Sequence, residues 1–235
     1  MSARPITLGA NVKRAGVLLC LGLVVSICVG AQTAPPDAPK EHQSELKQFF
    51  SFSPPLSLAQ DTRPMTVGKK FELFARNTVN PFQFVATAAW AGIAQAMDRY
   101  PDWGQGAEGY GKRYGAEYAN MATSNFFGTF VFPAILKQDP RYFRKETGGF
   151  WNRVGYSLSR TAITRTDKGT NAPNVSIWMG ALTAGALSNA WYPPSDQGVG
   201  QTFRNTGINL ATTAGFNIAR EFWPDVSRKL FHHKK

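Results

Sequence analysis

Over residues 66–78 the apolar positions Val67, Phe71, Phe74 and Ala75 recur on one helical face, with Lys69, Lys70, Glu72 and Arg76 off it, which predicts a short amphipathic helix. Asn80 followed by Pro81 is a start signal, because the asparagine oxygen caps a first turn and proline is pre-set for its first position; the helical pattern then runs to about Arg99, short of Pro101. A third helix fits residues 106–136, with Pro133 interrupting its end. Asp139-Pro140 restarts the chain as a turn, Asp139 serving as cap and Pro140 as first helical residue, and a fourth helix fits 149–164. The threonine-rich run 161–170, with Asp167-Lys168-Gly169 as its turn, admits a brief hairpin, although a loop is preferred. Pro173 opens a further helix to Trp191, stopped by Pro193-Pro194, and a long last helix covers 200–222 before Pro224 breaks it. The predicted fold is all-α, a compact bundle of about six or seven helices, none with the sustained seven-residue apolar repeat of a coiled coil.

Small residues fall at every fourth position in four stretches: Ala88, Gly92 and Ala96; Gly111, Gly115 and Ala119; Gly180, Ala184 and Ser188; Gly207, Ala211, Gly215 and Ala219. On a helix each set forms a flat stripe that lets a second backbone approach, so Gly92, Gly111, Gly115, Gly180, Gly207 and Gly215 are the expected packing positions. Residues 77–97, 118–136 and 169–195 carry no charge, and each run is long enough to span a bilayer. Polar dilution, such as Gln83, Thr87 and Gln95 in the first, favours buried helices of a bundle over a multi-pass membrane protein, which stays as the alternative. Trp178, Trp191 and Tyr192 in the third run read as core or rim aromatics, with interfacial anchoring as the other reading.

The first 31 residues set the compartment. Arg4, Lys13 and Arg14 lead into an uncharged apolar run ending in Val29-Gly30-Ala31, so 1–31 reads as a signal peptide, with an uncleaved anchor helix as the competing reading. Ile27 before Cys28 argues against a lipoprotein site. Both cysteines, Cys20 and Cys28, lie in this leader, so processing leaves no disulfide, no thiolate and no cysteine-ligated metal. Removing three positive charges and no negative ones lowers the formal net charge from +11 to +8. An exported cation suits lipid headgroups or anionic envelope polymer better than nucleic acid, with plain solubility as the alternative. Residues 32–64 hold Pro35-Pro36, Pro39, Pro54-Pro55 and Pro64 and read as a flexible tether, 65–230 as one helical domain, and 231–235 as a basic tail.

Candidate chemistry is sparse. Histidine occurs only at His42, His232 and His233, outside the expected domain, which argues against Ser-His-Asp hydrolysis, zinc hydrolysis and histidine phosphotransfer; no catalytic residue, metal or cofactor is assigned. Gly104, Gly106 and Gly109 spell G-x-G-x-x-G, but a helix and an Asp102-Trp103 turn precede them where a dinucleotide site needs a strand. What survives is a glycine-rich helix start at which Lys112 and Arg113 would hold a phosphate or carboxylate, beside the plainer reading of a loop and a close-packed helix. Ser44 and Lys47 match a Ser-Lys spacing by chance within the tether. Asp98, Glu108, Glu117, Asp139 and Glu221 are the carboxylates a glycan- or lipid-cleaving enzyme would draw on, yet no spacing selects a pair. Glu117 four residues after Arg113, and Glu221 beside Arg220, read as ion-paired or solvated carboxylates. Asn174 heads a glycosylation sequon by letter and serves equally as a helix start.

Basic and aromatic residues interleave most densely in Lys137-Gln138-Asp139-Pro140-Arg141-Tyr142-Phe143-Arg144-Lys145, followed by Gly149-Phe150-Trp151 and Ser159-Arg160-Thr161. With Glu221-Phe222-Trp223-Pro224-Asp225, these segments resemble an uncharacterised family of exported bacterial proteins common in acidobacteria, over about residues 126–230. The resemblance implies export and supplies no activity. On physical grounds Arg141, Tyr142, Arg144, Trp151, Arg153 and Arg160 are candidates for an anion- or glycan-binding surface, as Lys112 and Arg113 are at the glycine-rich turn; their plainer role is to neutralise helix ends and cover the core. The expectation is an exported, non-catalytic protein of the cell envelope that contacts membrane or envelope polymer and not nucleic acid, with stripes that also suit an oligomer. A multi-pass membrane bundle and a carboxylate-dependent enzyme are the alternatives.

Overall fold

The computed structural model describes residues 58–59 and 62–231, where the chain is mostly helical with one small sheet, in keeping with the all-α reading. The expected signal peptide, most of the tether, the last tail residues, both cysteines and all three histidines lie outside the described residues. The helices are α1 (Val67–Thr78), α2 (Pro81–Ala96), α3 (Gly106–Asn125), α4 (Phe132–Ile135), α5 (Phe150–Ala162), α6 (Val175–Leu187) and α7 (Val199–Phe231), and the strands are β1 (Gln138–Asp139), β2 (Ile163–Thr166) and β3 (Asn171–Pro173). The chain forms two compact units, one holding Asn80–Tyr118 and the other the described parts of Ser53–Val79 and Ala119–Lys235.

In the first unit Asn80 caps α2, its side-chain oxygen accepting from the Phe82 amide at 2.8 Å, as its place before Pro81 predicts. Tyr110, Tyr114 and Tyr118 stack down α3 at helical spacing, and Phe84 of α2 closes the column at 5.2 Å from the Tyr118 ring. The buried rows are Thr87, Ala91 and Ala94 on α2, and Gly109, Arg113 and Ala116 on α3. These are not the expected stripes. Gly111 and Gly115 face open space, where an added Cβ would meet nothing, and Gly92 is half-buried. The physical reason is Arg113, whose guanidinium finds its acceptors inside and so rotates the Gly109–Arg113–Ala116 row inward.

In the second unit α1 turns Lys70, Asn77 and Thr78 inward and leaves Val67 and Phe71 exposed, which rotates the predicted apolar face. Lys70 is drawn in because its ammonium donates to the Pro133 carbonyl at 3.1 Å and pairs with Asp167 at 2.7 Å. Pro133 cannot donate a helical hydrogen bond, and the turn before it widens to a π-helix over Phe126–Val131, the Phe132 amide reaching back to the Phe127 carbonyl. That widening presents Gly128 to α6, where a Cβ on Gly180 would lie 2.6 Å from the Gly128 Cα. Here the predicted stripe holds: Gly180 and Ala184 are buried together with Ser176, Ala181 and Gly185.

Residues 161–170, preferred as a loop, instead contribute β2 and the turn of an antiparallel hairpin with β3, in which Thr164 faces Ala172; β1 adds on the other side, with Gln138 opposite Thr166. Gly169 supplies the positive φ of the turn. No helix starts at Pro140; Asp139 lies in β1 and its carboxylate caps its own turn through the Arg141 amide at 3.0 Å. Asn174 starts α6, accepting from the Ile177 amide. α7 continues through Pro224 to Phe231 where a break is expected. Its buried positions are the polar Gln201, Asn205, Asn217 and Glu221, while Gly207, Ala211 and Gly215 of the fourth stripe are exposed and the two glycines face open space. The α6–α7 seam closes elsewhere, with Gly185 against Thr202 and Thr206 and Asn205 donating to Ser188 at 2.8 Å. No helix among the described residues is long and apolar enough to cross a membrane, so the multi-pass alternative has no helix there to carry it.

Candidate functional site

The most developed polar arrangement lies in the second unit, around Glu221. Glu221 is wholly buried, and four donors converge on its carboxylate: the Tyr142 hydroxyl at 3.0 Å, the Lys145 and Glu146 amides at 3.0 and 3.1 Å, and Arg153 Nε at 2.8 Å. Successive amides aimed at one anion form a backbone nest, and Glu146 takes a left-handed φ of 62° to make it. One turn on, Asp225 accepts from Arg153 at 2.7 Å and from Arg144 and Arg228. The Glu221 backbone carbonyl also accepts, from Arg153 Nη2 at 2.8 Å and Arg144 Nε at 3.1 Å.

The chemistry of this cluster is that of a clamp. Burial alone pushes the Glu221 carboxyl up, but hydrogen bonds from Arg153, the two amides and Tyr142 hold it below its ordinary value. Burial likewise raises Asp225, and the opposing bonds from Arg153 and Arg228 bring it down to about 2. Burial and the neighbouring Glu221 charge push the Tyr142 phenol up, so it stays a donor. Acid–base cleavage of a glycan needs one carboxyl held protonated beside one ionised, and this pair is ionised on both sides.

The residues expected to bind anions are committed to partners within the protein. Arg141 grips Asp139 through Nε and Nη2 and donates to the Arg63 carbonyl; Arg144 and Arg153 serve Glu221 and Asp225; Tyr142 is buried against Glu221. Arg160 bonds Asn171 and lies over the Tyr156 ring. Trp151 is the exception, 80 % exposed with its ring against the exposed Phe150. In the first unit Lys112 pairs with Glu108 on the surface, and the buried Arg113 donates to the carbonyls of Arg99, Tyr100 and Gly104 and to Gln95. The glycine-rich turn therefore offers carbonyls to a cation, the reverse of a phosphate cradle. Gly109 is required there by the Gly104 carbonyl, which a Cβ would strike. No cluster of three or more metal-ligating side chains occurs among the described residues.

Searches against family models, curated proteins and solved structures find no match to this chain.

Glu221 is neither solvated nor paired with its neighbour Arg220: residues one apart on a helix point about 100° from each other, and Glu221 turns to Arg153 instead. The usable signal was the spacing of Glu221, Asp225 and Arg228 on one helical face. Glu117 does not pair with Arg113 either; burial pushes its carboxyl up, partly offset by Arg99. Trp191 and Tyr192, read as core or rim aromatics, are both tied to Asn120, at 3.1 and 2.7 Å, whereas Trp178 is exposed. The outward residues of α6 complete the picture. Val175, Trp178, Met179, Leu182 and Leu187 are exposed on a helix with no charged residue, while its small side chains face in.

Proposed function

We propose that this chain is an exported, non-catalytic protein of the bacterial cell envelope that seats the outward face of α6 on an anionic lipid surface. The observation that carries this reading is the inverted polarity of α6: large apolar side chains outward, Ser176, Gly180, Ala181, Ala184 and Gly185 inward. Burying a helix that way is favourable against lipid, where close packing needs small residues and the outer surface needs no charge. At 13 residues α6 is about 20 Å long, too short for a hydrocarbon core of about 30 Å, so the geometry suits lying at the interface. Trp178 fits that depth, with its indole N–H already satisfied by the Thr161 carbonyl at 3.1 Å. The excess positive charge draws the chain to anionic headgroups.

Co-sedimentation with phosphatidylglycerol and phosphatidylcholine vesicles tests it. The wild-type chain is expected in the phosphatidylglycerol pellet, and the double variant Trp178→Ser with Leu182→Ser to bind about tenfold or more weakly, as lost burial of two large side chains dictates. Equal binding by both chains overturns the α6 reading. So does retention on peptidoglycan with no vesicle binding, which assigns the partner to envelope polymer, or a stable dimer that buries α6 in the absence of lipid.

A further inference from the structure

Four guanidiniums among the described residues are well supplied with acceptors. Arg113 has carbonyls and Gln95, Arg141 has Asp139, Arg144 has Asp225 and the Glu221 carbonyl, and Arg153 has both carboxylates. Among the described residues Arg220, half-buried as a whole, has only Asn217 Oδ1, at 3.2 Å from Nη1: its Nε is enclosed with no acceptor, and no carboxylate there pairs with it. Glu221, next in sequence, is already taken by four donors on the adjoining face of α7. Leaving a buried charged donor unsatisfied is costly, and the same fold neutralises other such groups. Burial lowers the Arg220 pKa only to about 10, so the group stays a cation at neutral pH.

The seam around it is suited to an anion. α5 and α7 run antiparallel, Arg153 meeting Glu221 and Thr161 meeting Asn217 two turns further along α5. Asn217 is buried, and its amide reaches the Thr161 hydroxyl only at 3.4 Å, a weak commitment that leaves both groups able to turn to a better acceptor. We propose that Arg220, with Asn217 and Thr161, forms a binding site for a tetrahedral oxyanion on the α5–α7 seam, the ligand being a phosphate group, either free or carried on a lipid headgroup. The planar guanidinium presents parallel N–H donors of the kind that engage phosphate bidentately, and Asn217 and Thr161 supply neutral donors alongside. This site is separate from the seating of α6 and does not rest on it.

Thermal unfolding of the full chain tests the site, in inorganic phosphate against sodium chloride of equal ionic strength, for wild type and Arg220→Met. Phosphate is expected to raise the wild-type midpoint by roughly 5 °C or more once it exceeds its dissociation constant about a hundredfold. Without phosphate, Arg220→Met is expected to melt at or above wild type, because an uncompensated charge has been replaced by an apolar chain of similar length, and to lose the phosphate response. If that variant does not fold, Arg220→Lys keeps the charge without the fork, and broadening of the phosphate ³¹P resonance is expected to be weaker than with wild type. A rise produced by phosphatidylglycerol vesicles and not by free phosphate, dependent on Arg220, assigns the headgroup as the source. No response to either probe overturns the proposal, as does a phosphate response that Arg220→Met retains. The Trp178 and Leu182 vesicle experiment leaves Arg220 and Asn217 in place and reads lipid binding, so failure there leaves this result intact.

Discussion

Glu221 illustrates how one side chain holds distant segments together, since its four donors come from three places: Tyr142, the 145–146 backbone and α5. Glu221→Gln removes the charge while leaving Arg153 and Tyr142 enclosed, so a loss of about 3 kcal/mol is expected, visible as a midpoint drop of roughly 6–12 °C in circular dichroism. The same carboxylates set the acid response. Both Glu221 and Asp225 titrate lower in the folded chain than in the unfolded one, so their contribution is complete above the ordinary carboxylate range and drains away as pH falls from about 4 toward the Asp225 value of about 2. Urea unfolding across that window is expected to show a steady fall in stability, flattened in Glu221→Gln. These roles were half legible in the residues. The i, i+4 spacing of Glu221 and Asp225 was plain, but which arginines answer them depends on loop 141–149 folding back, and spacing within one helix carries no information about that.

At the scale of elements, the small-residue stripes show where periodicity stops being informative. A helix with glycine or alanine at every fourth position has a flat side, yet whether that side is covered depends on what the adjoining rows demand. On α6 the stripe is buried and Gly180 rests on the Gly128 backbone; on α7 Gly207 and Gly215 face open space because Asn205, Asn217 and Glu221 claim the inner face. Opposite signs are therefore expected for one substitution type. Gly180→Ala must push α6 off the π-helical turn at Gly128, costing about 1–3 kcal/mol, whereas Gly215→Ala meets nothing and gains about 0.5–1 kcal/mol by restricting the unfolded chain. Chemical denaturation midpoints of the two variants check this. Caps at Asn80 and Asn174 were readable because a cap is a local event between residues two or three apart. The continuation of α7 through Pro224 was not, because proline locally signals a break and the packing of α7 against α5 overrides it.

For the whole molecule, polarity is distributed unlike that of an ordinary globular domain: Lys70, Arg113, Asn205 and Glu221 are buried while Trp151, Trp178 and Phe203 stand exposed. With the chain cationic overall, binding to phosphatidylglycerol vesicles is expected to weaken as salt rises from about 0.05 to 0.5 M and to keep an apolar remainder that salt does not remove. Vesicle flotation across that range measures both parts. Composition and local pattern were enough to establish the helical class, most helix starts, the basic character and the lack of histidine and cysteine in residues 65–230, because each of these is a property of residues near one another in the chain. Which helical face turns inward, which arginine meets which carboxylate, and that Arg220 is left without one were settled by packing. A rotation of one residue costs nothing in local propensity and is chosen by long-range partners such as Pro133 for Lys70 and Tyr142 for Glu221.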